Sequence, residues 1–312
     1  MFLKWGNVGF IRRLCPEPPR GINPALPVLP SPIRYHHSMS EADSIALSTR
    51  GPVTKKWLVD DLRALGVREG MLLMVHTSLS KLGWVIGGAH TVIAALREVV
   101  GESGTIVMPG FSRHITEPSY WQKPPVPEEW WQTIRDEAPA YDERTVMPHG
   151  MGVVPLCFQL HEGVKRSAHP SSGWLAQGPL AKELTADHRL DMEHVEDSPK
   201  GYCYRTGAYV LSLATQRTTI LHFAENLTDY PGREIRHVGT TMLVDGERRW
   251  VEYDDLEGDD EDFEQIRQEF MASHPAGPDT WSARDVAYGG SRLFKVKPLV
   301  DFACGWIKAN RN

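Results

Sequence analysis

Two short apolar runs, and the segment between them, constrain this chain most. "MLLMV" (71–75) reads as a five-residue buried strand, and "GTIVMPG" holds a second strand that Pro109 stops. Between them, "HTVIAALREVV" sets Ile93, Leu96 and Val100 on one helical face, and Gly101 ends it. A strand, a helix and a strand in that order imply a parallel, right-handed crossover. That unit points to an α/β layer architecture. Thr54 caps an earlier helix carrying Leu58, Leu62 and Leu65, and Gly66 is its stop. "AYVLSL" (208–213) is another buried strand, and "LVDFACGWI" reads as a closing helix. "TMLVDGERRWVEYDDL" is a hairpin turning at Asp245-Gly246.

The first strand ends in three polar residues, His76-Thr77-Ser78, and the Gly87-Gly88 turn precedes the next helix. In open α/β sheets, ligands bind outside the carboxyl ends of strands. A helix N-terminus favours an anion. The arrangement therefore suits a ligand with a phosphate or a developing oxyanion. A capped loop with its own hydrogen bonds satisfied accounts for the same spacing and is the commoner case.

Two further clusters carry chemistry-bearing residues. In "VKRSAHPSSGW" (164–174), Pro170 biases His169 away from the helical region, so its imidazole is expected to be presented from a loop. A lone loop histidine is more often simply solvated. "TTILHFAENL" reads as a helix capped near Thr219, with His222 and Glu225 at i, i+3 on one face. The plain alternative for Glu225 is an exposed helix carboxylate.

The chain has 312 residues, 41% hydrophobic and 24% charged, enough to bury a core without staples. Its net charge of -6 argues against a nucleic-acid partner. Residues 1–38 hold five Lys/Arg against one acid, Glu17, which leaves -10 on the remainder. They also hold seven of the 23 prolines and read as a disordered Pro-rich extension. Lys4 and Asn7 break the apolar start, so a signal peptide is not expected, and Met39 is read as the start of the folded unit, 39–312. No run of 18 apolar residues appears, so no membrane span is expected. Cys15, Cys157, Cys203 and Cys304 form no C-x-x-C pair, which suggests free thiols in a reducing cytoplasm and no metal. A Trp/Pro-rich insertion near 117–150 reads as an ordered lid or wall. In "VEYDDLEGDDEDFE" nine of 14 residues are acidic, which suits a cationic ligand or a solvated loop equally.

Together, "LLMVHTSLSKLGWVIGGAHTVIAALREVVGESGTIVMPGFS", the P-P-V-P-x-x-W-W loop, "GVKRSAHPSSGWLAQGP", "LHFAE" and "LVDGERRWVEYDDLEGDDEDF" resemble the aminoglycoside 3-N-acetyltransferases, from about Thr54 to Ile307. The resemblance implies acetyl transfer from acetyl-CoA to the 3-amino group of a 2-deoxystreptamine ring. It implies a three-layer α/β/α sandwich around a mixed, largely parallel sheet, distinct from the commoner GNAT acetyltransferase superfamily. By the same resemblance, His169 of S-x-H-P is the base and Glu225 of L-H-x-A-E its supporting carboxylate. His76, Thr77, Ser78 and Leu79 lie beside the thioester and pantetheine arm. The partner is a small aminoglycoside, with no nucleic acid or membrane, and the protein is a monomer or homodimer. The chain departs from the family pattern at Thr215 and Thr218, where a His and an Asn are usual, and at "SPKGYC", where S-P-x-A-R is usual. Rival readings are acetylation of another amine, a hydrolase with Ser78 as nucleophile, and a non-catalytic binder of cationic antibiotics or CoA. The absence of a G-x-S-x-G elbow counts against the hydrolase.

Overall fold

The computed structural model describes residues 39–122 and 124–311. The Pro-rich stretch 1–38 and Cys15 lie outside the described residues. The elements, in chain order, are α1 (Glu41–Leu47), α2 (Lys55–Leu65), β1 (Leu72–Thr77), α3 (Gly88–Val100), β2 (Thr105–Pro109), α4 (Trp131–Glu137), α5 (Val153–Gln159), β3 (Lys165–Arg166), β4 (Trp174–Gln177) and α6 (Ala181–Ala186). Then follow α7 (Pro199–Arg205), β5 (Tyr209–Leu213), α8 (Leu221–Leu227), β6 (Ile235–Val244), β7 (Glu247–Leu256), α9 (Phe263–Ser273), β8 (Trp281–Val286), β9 (Gly289–Lys295) and α10 (Val296–Asn310).

The local signals operate as their chemistry predicts. Thr54 accepts a hydrogen bond from Trp57 N at 3.1 Å and so caps α2, and Gly66 closes that helix at φ 108. The apolar stripe of α3 buries Val92, Ile93, Leu96, Val99 and Val100. Asp245 (φ 53) and Gly246 (φ 81) both adopt the left-handed conformation that a tight hairpin turn needs. Ten register pairs join β6 to β7 on either side of that turn.

Seven strands form one sheet in the order β3-β4-β2-β1-β5-β9-β8. The centre, β2-β1-β5, is parallel. The four outer pairings are antiparallel. The sheet is therefore mixed, as expected, but parallel pairing is confined to its middle, so "largely parallel" overstates it. The cause is that β4 and β9 each arrive beside a parallel strand from the opposite direction.

Alternate residues of the central strands face opposite ways. Leu73, Val75, Ile106, Met108, Leu211 and Leu213 share a core with α2, α3 and α5. Leu72, Met74, Val107 and Val210 share another with α7, α8, α9 and α10. Burial of each such side chain contributes roughly 1.5–3 kcal/mol. The carboxyl ends of β1 and β5 are adjacent, with His76 opposite Ser212 and Thr77 opposite Leu213. Among the described residues no helix is long and apolar enough to cross a membrane.

Candidate active site

The chain leaves β5 through Ala214, held at φ 54 with its N–H donated to Ser291 Oγ at 3.0 Å. This turn, with Thr218 buried against Ser212 at 3.0 Å, delivers α8 beside the end of β1. Thr219 does not cap α8. Its hydroxyl instead meets His76 Nε2 at 3.2 Å. One turn of α8 places His222 against Glu225, with Nδ1 to Oε2 at 2.6 Å.

Glu225 is fully buried. Its Oε1 accepts from Arg311 Nη1 at 2.5 Å and from Asp259 N at 3.0 Å. Arg311 is itself gripped by Asp262 through two bonds of 2.7 Å. Burial alone would raise the Glu225 pKa, but the hydrogen bonds from His222, Arg311 and Asp259 outweigh it, and the carboxyl sits below its ordinary range. The group is thus an ionised carboxylate with every donor fixed. Gly258 closes the pair from above: a Cβ there would stand 2.8 Å from His222 Nδ1. Only glycine fits without displacing the imidazole.

The His222 side chain keeps 20% of its surface exposed, and its Nε2 has no partner among the described residues. It opens into a cleft of about 320 Å³. Five carboxylates line this cleft (Glu117, Glu193, Glu225, Asp255 and Asp260) against two arginines, Arg113 and Arg236. The insertion supplies Glu117, Tyr120 and Trp121, and the acidic run supplies Tyr253, Asp255, Gly258 and Asp260. One end of the insertion and part of the acidic run therefore wall the cleft. Burial and the neighbouring Glu193 push Asp255 up to about 7, while Arg236 at 3.1 Å pulls it down.

His194 stacks on His222 with ring centroids 5.5 Å apart. Its Nε2 meets Lys200 Nζ at 3.0 Å, and its Nδ1 is buried without a partner among the described residues. Lys200 is wholly buried, and burial lowers its pKa to about 7 against the opposing pull of Glu193, Glu225 and Asp255.

His169 is placed differently from its expected role. It does lie in a turn, as Pro170 implies, but it points inward and is 1% exposed. The cleft wall at this place is Ser171 and Ser172, whose backbone N–H groups donate to His169 Nδ1 at 3.2 and 3.1 Å. With Nδ1 accepting, Nε2 carries the hydrogen and donates to Leu190 O at 3.0 Å. Burial lowers its pKa to about 4. Both nitrogens are occupied, and Glu225 bonds His222 instead. The expected pairing of His169 with Glu225 is not present.

His76, Thr77, Ser78 and Leu79 do not line this cleft. His76 is buried, packs edge-on to Trp174 and is held neutral, its pKa lowered to about 3 chiefly by burial. The Thr77 hydroxyl has no partner among the described residues. Ser78 donates its backbone N–H to Leu213 O at 3.1 Å, and among the described residues no histidine bonds its hydroxyl. Among the described residues, the one group of three close metal-type donors, His90, Cys157 and His161, lies outside the cleft.

The sequence shows His222 and Glu225 on one helical face, while the family resemblance assigns the base role to His169. The i, i+3 spacing was the signal that identifies the pair. Arg311 and Gly258 carried no local signal.

A family model described as aminoglycoside 3-N-acetyltransferase matches residues 74–308. The SPbeta prophage-derived aminoglycoside N(3')-acetyltransferase-like protein YokD of Bacillus subtilis (strain 168) is 40% identical over 85% of this chain and 96% of that protein. Its crystal structure superposes with a TM-score of 0.81 over 86% of this chain and 98% of the other. Aminoglycoside N(3)-acetyltransferase VII of Streptomyces paromomycinus is 36% identical over 85% of this chain and 96% of that protein. A solved structure of AAC-IIIb binary with CoASH aligns at 28% identity, with a TM-score of 0.74 over 84% of this chain and 98% of the other.

Proposed function

This chain belongs to the aminoglycoside 3-N-acetyltransferase family, and from that premise we propose that it acetylates the 3-amino group of the 2-deoxystreptamine ring, with acetyl-CoA as donor and His222 as base. The observation that carries the reading is the 2.6 Å pair of His222 Nδ1 and Glu225 Oε2 at the edge of an acidic cleft.

The bound carboxylate fixes the imidazole tautomer, with hydrogen on Nδ1 and a lone pair on Nε2. That lone pair takes the proton of the attacking amine, and Glu225 stabilises the imidazolium that results. General-base help of this kind is typically worth ~10²–10⁴ in rate. The carboxylates of the cleft attract and hold a polycationic sugar. By the family resemblance the His76–Leu79 segment takes the thioester end of acetyl-CoA; it does not line the cleft itself but is joined to the start of α8 through His76 and Thr219. A relative solved with CoASH supports the donor. Amine and thioester then meet in a ternary complex, without an acyl-enzyme on Ser78.

The two cores on opposite faces of the sheet support a three-layer α/β/α arrangement for the described residues, unlike that of the GNAT acetyltransferases. Free thiols at Cys157, Cys203 and Cys304 suit a cytoplasmic enzyme. A thiol-release assay with acetyl-CoA and a panel of apramycin, gentamicin and kanamycin tests the activity. Turnover with at least one is expected. Release no faster than hydrolysis with every deoxystreptamine substrate, but fast with another amine, would move the assignment to that amine.

A further inference from the structure

We propose that His90, Cys157 and His161 form a binding site for a zinc-class divalent cation, separate from the acetyl-transfer cleft. His90 stands in the first turn of α3, Cys157 in α5, and His161 four residues beyond Cys157, just past the end of that helix. Cys157 Sγ lies 3.5 Å from His90 Nδ1 and 4.0 Å from His161 Nε2. One ligand atom from each residue falls within 4.8 Å of the other two.

The two S···N separations are close to those of a metal polyhedron, while the two imidazole nitrogens, within 4.8 Å of each other, have to close to roughly 3.4 Å. Bonds of about 2.3 Å to sulfur and 2.0–2.1 Å to nitrogen put a tetrahedral S···N edge at roughly 3.5 Å. One observed edge equals this, and the other needs a shift of about half an ångström, within reach of a small side-chain rotation. The donor set also selects the ion. A thiolate with two imidazoles suits zinc and its neighbours, whereas magnesium and calcium require oxygen. Three protein ligands leave a fourth position for water.

The site is held by the fold. Val154 and Phe158 of α5 and Val92 and Ile93 of α3 are buried in one core, so the two helices present their ligands from a fixed frame. That core lies on the sheet face opposite α8, which carries His222. His161 is ready to ligate as a neutral ring, its pKa lowered by burial and by Arg97. Burial raises the Cys157 thiol pKa, so ligation must displace its proton. On binding, the S–H bond breaks, a metal–sulfur bond forms, and one proton passes to solvent. Gln159, at the end of α5, bonds both Val146 O at 3.0 Å and Arg166 at 3.1 Å. A bound ion would therefore staple α3 to the helix that anchors the insertion and the His169 turn, and raise stability by mass action.

The test titrates the reduced full chain with Co²⁺ as a spectroscopic probe, then displaces it with Zn²⁺. One equivalent should give a thiolate-to-cobalt charge-transfer band with release of one proton, and Zn²⁺ but not Mg²⁺ should abolish the band. Cys157→Ser should remove the band, and Cys304→Ser should keep it. His90 is exposed, so His90→Asn leaves the fold intact and should weaken affinity roughly tenfold or more through loss of one ligand. Absence of the band in the parent protein, its survival in Cys157→Ser, or unchanged affinity in His90→Asn would each overturn the assignment.

Discussion

Replacing Lys200 by Met removes a buried charge from beneath the active site, and the structure fixes how stability should respond. The Lys200 side chain is wholly buried, with Nζ 3.0 Å from His194 Nε2 and 5.8 Å from the Trp174 ring centroid. Among the described residues no carboxylate lies within ion-pair distance of it. Burial takes its pKa from 10.5 to about 7. The depressed group is a base, so the unfolded chain binds more protons than the folded one between about pH 7 and 10.5. Wild-type stability therefore gains from this group as pH rises through that window, and the full penalty applies below it. At ~1.4 kcal/mol per pKa unit, the whole window is worth on the order of 5 kcal/mol. Met has similar volume and no charge, and should be more stable than the wild type at neutral pH. Its advantage should shrink by about 3 kcal/mol between pH ~7 and ~9.5. Urea unfolding of both proteins at several pH values reads the difference, in which the other titrating groups largely cancel. Parallel stability curves would show that Lys200 is not held neutral by its burial.

Three further outcomes follow from the site. Glu225→Gln keeps the shape and loses the charge that stabilises the imidazolium, so kcat should fall by roughly 10²–10⁴ while KM for acetyl-CoA changes little. Gly258→Ala drives a methyl against His222 Nδ1, and a misplaced base of this kind should lower kcat on the order of 100-fold with the fold retained by circular dichroism. Raising the salt from ~0.05 to ~0.5 M shortens the screening length several-fold. It should therefore raise KM for the aminoglycoside far more than kcat, and a flat KM would remove the acidic cleft from substrate capture.

The parts of the fold that announce themselves in sequence are those governed by local rules. The β1–α3–β2 unit follows from apolar periodicity, α2 from Thr54 and Gly66, and the β6–β7 hairpin from Asp245-Gly246. Strand direction is not local. Nothing within Trp174–Gln177 or Gly289–Lys295 says that these strands run antiparallel to their central neighbours. The site divides in the same way. Pro170 correctly forces a turn at His169, yet whether the ring points to solvent or inward is decided by Leu190 O and the backbone of Ser171 and Ser172. His222 and Glu225 are visible as a helical pair, but the choice of base depends on which histidine retains a free nitrogen. Arg311, which completes the carboxylate's partners, is 86 residues from Glu225 and has no sequence signal of its own.

Whether His222 or His169 accepts the amine proton is read by comparing kcat of His222→Ala and His169→Asn with saturating acetyl-CoA and aminoglycoside, each corrected for its folded fraction. His222→Ala should lose ~10²–10⁴ in kcat, with melting temperature near that of the wild type. His169→Asn should lose stability and keep kcat within a few-fold. A folded His222→Ala enzyme with near-normal kcat, beside a folded but inactive His169→Asn enzyme, would contradict the assignment of the base to His222.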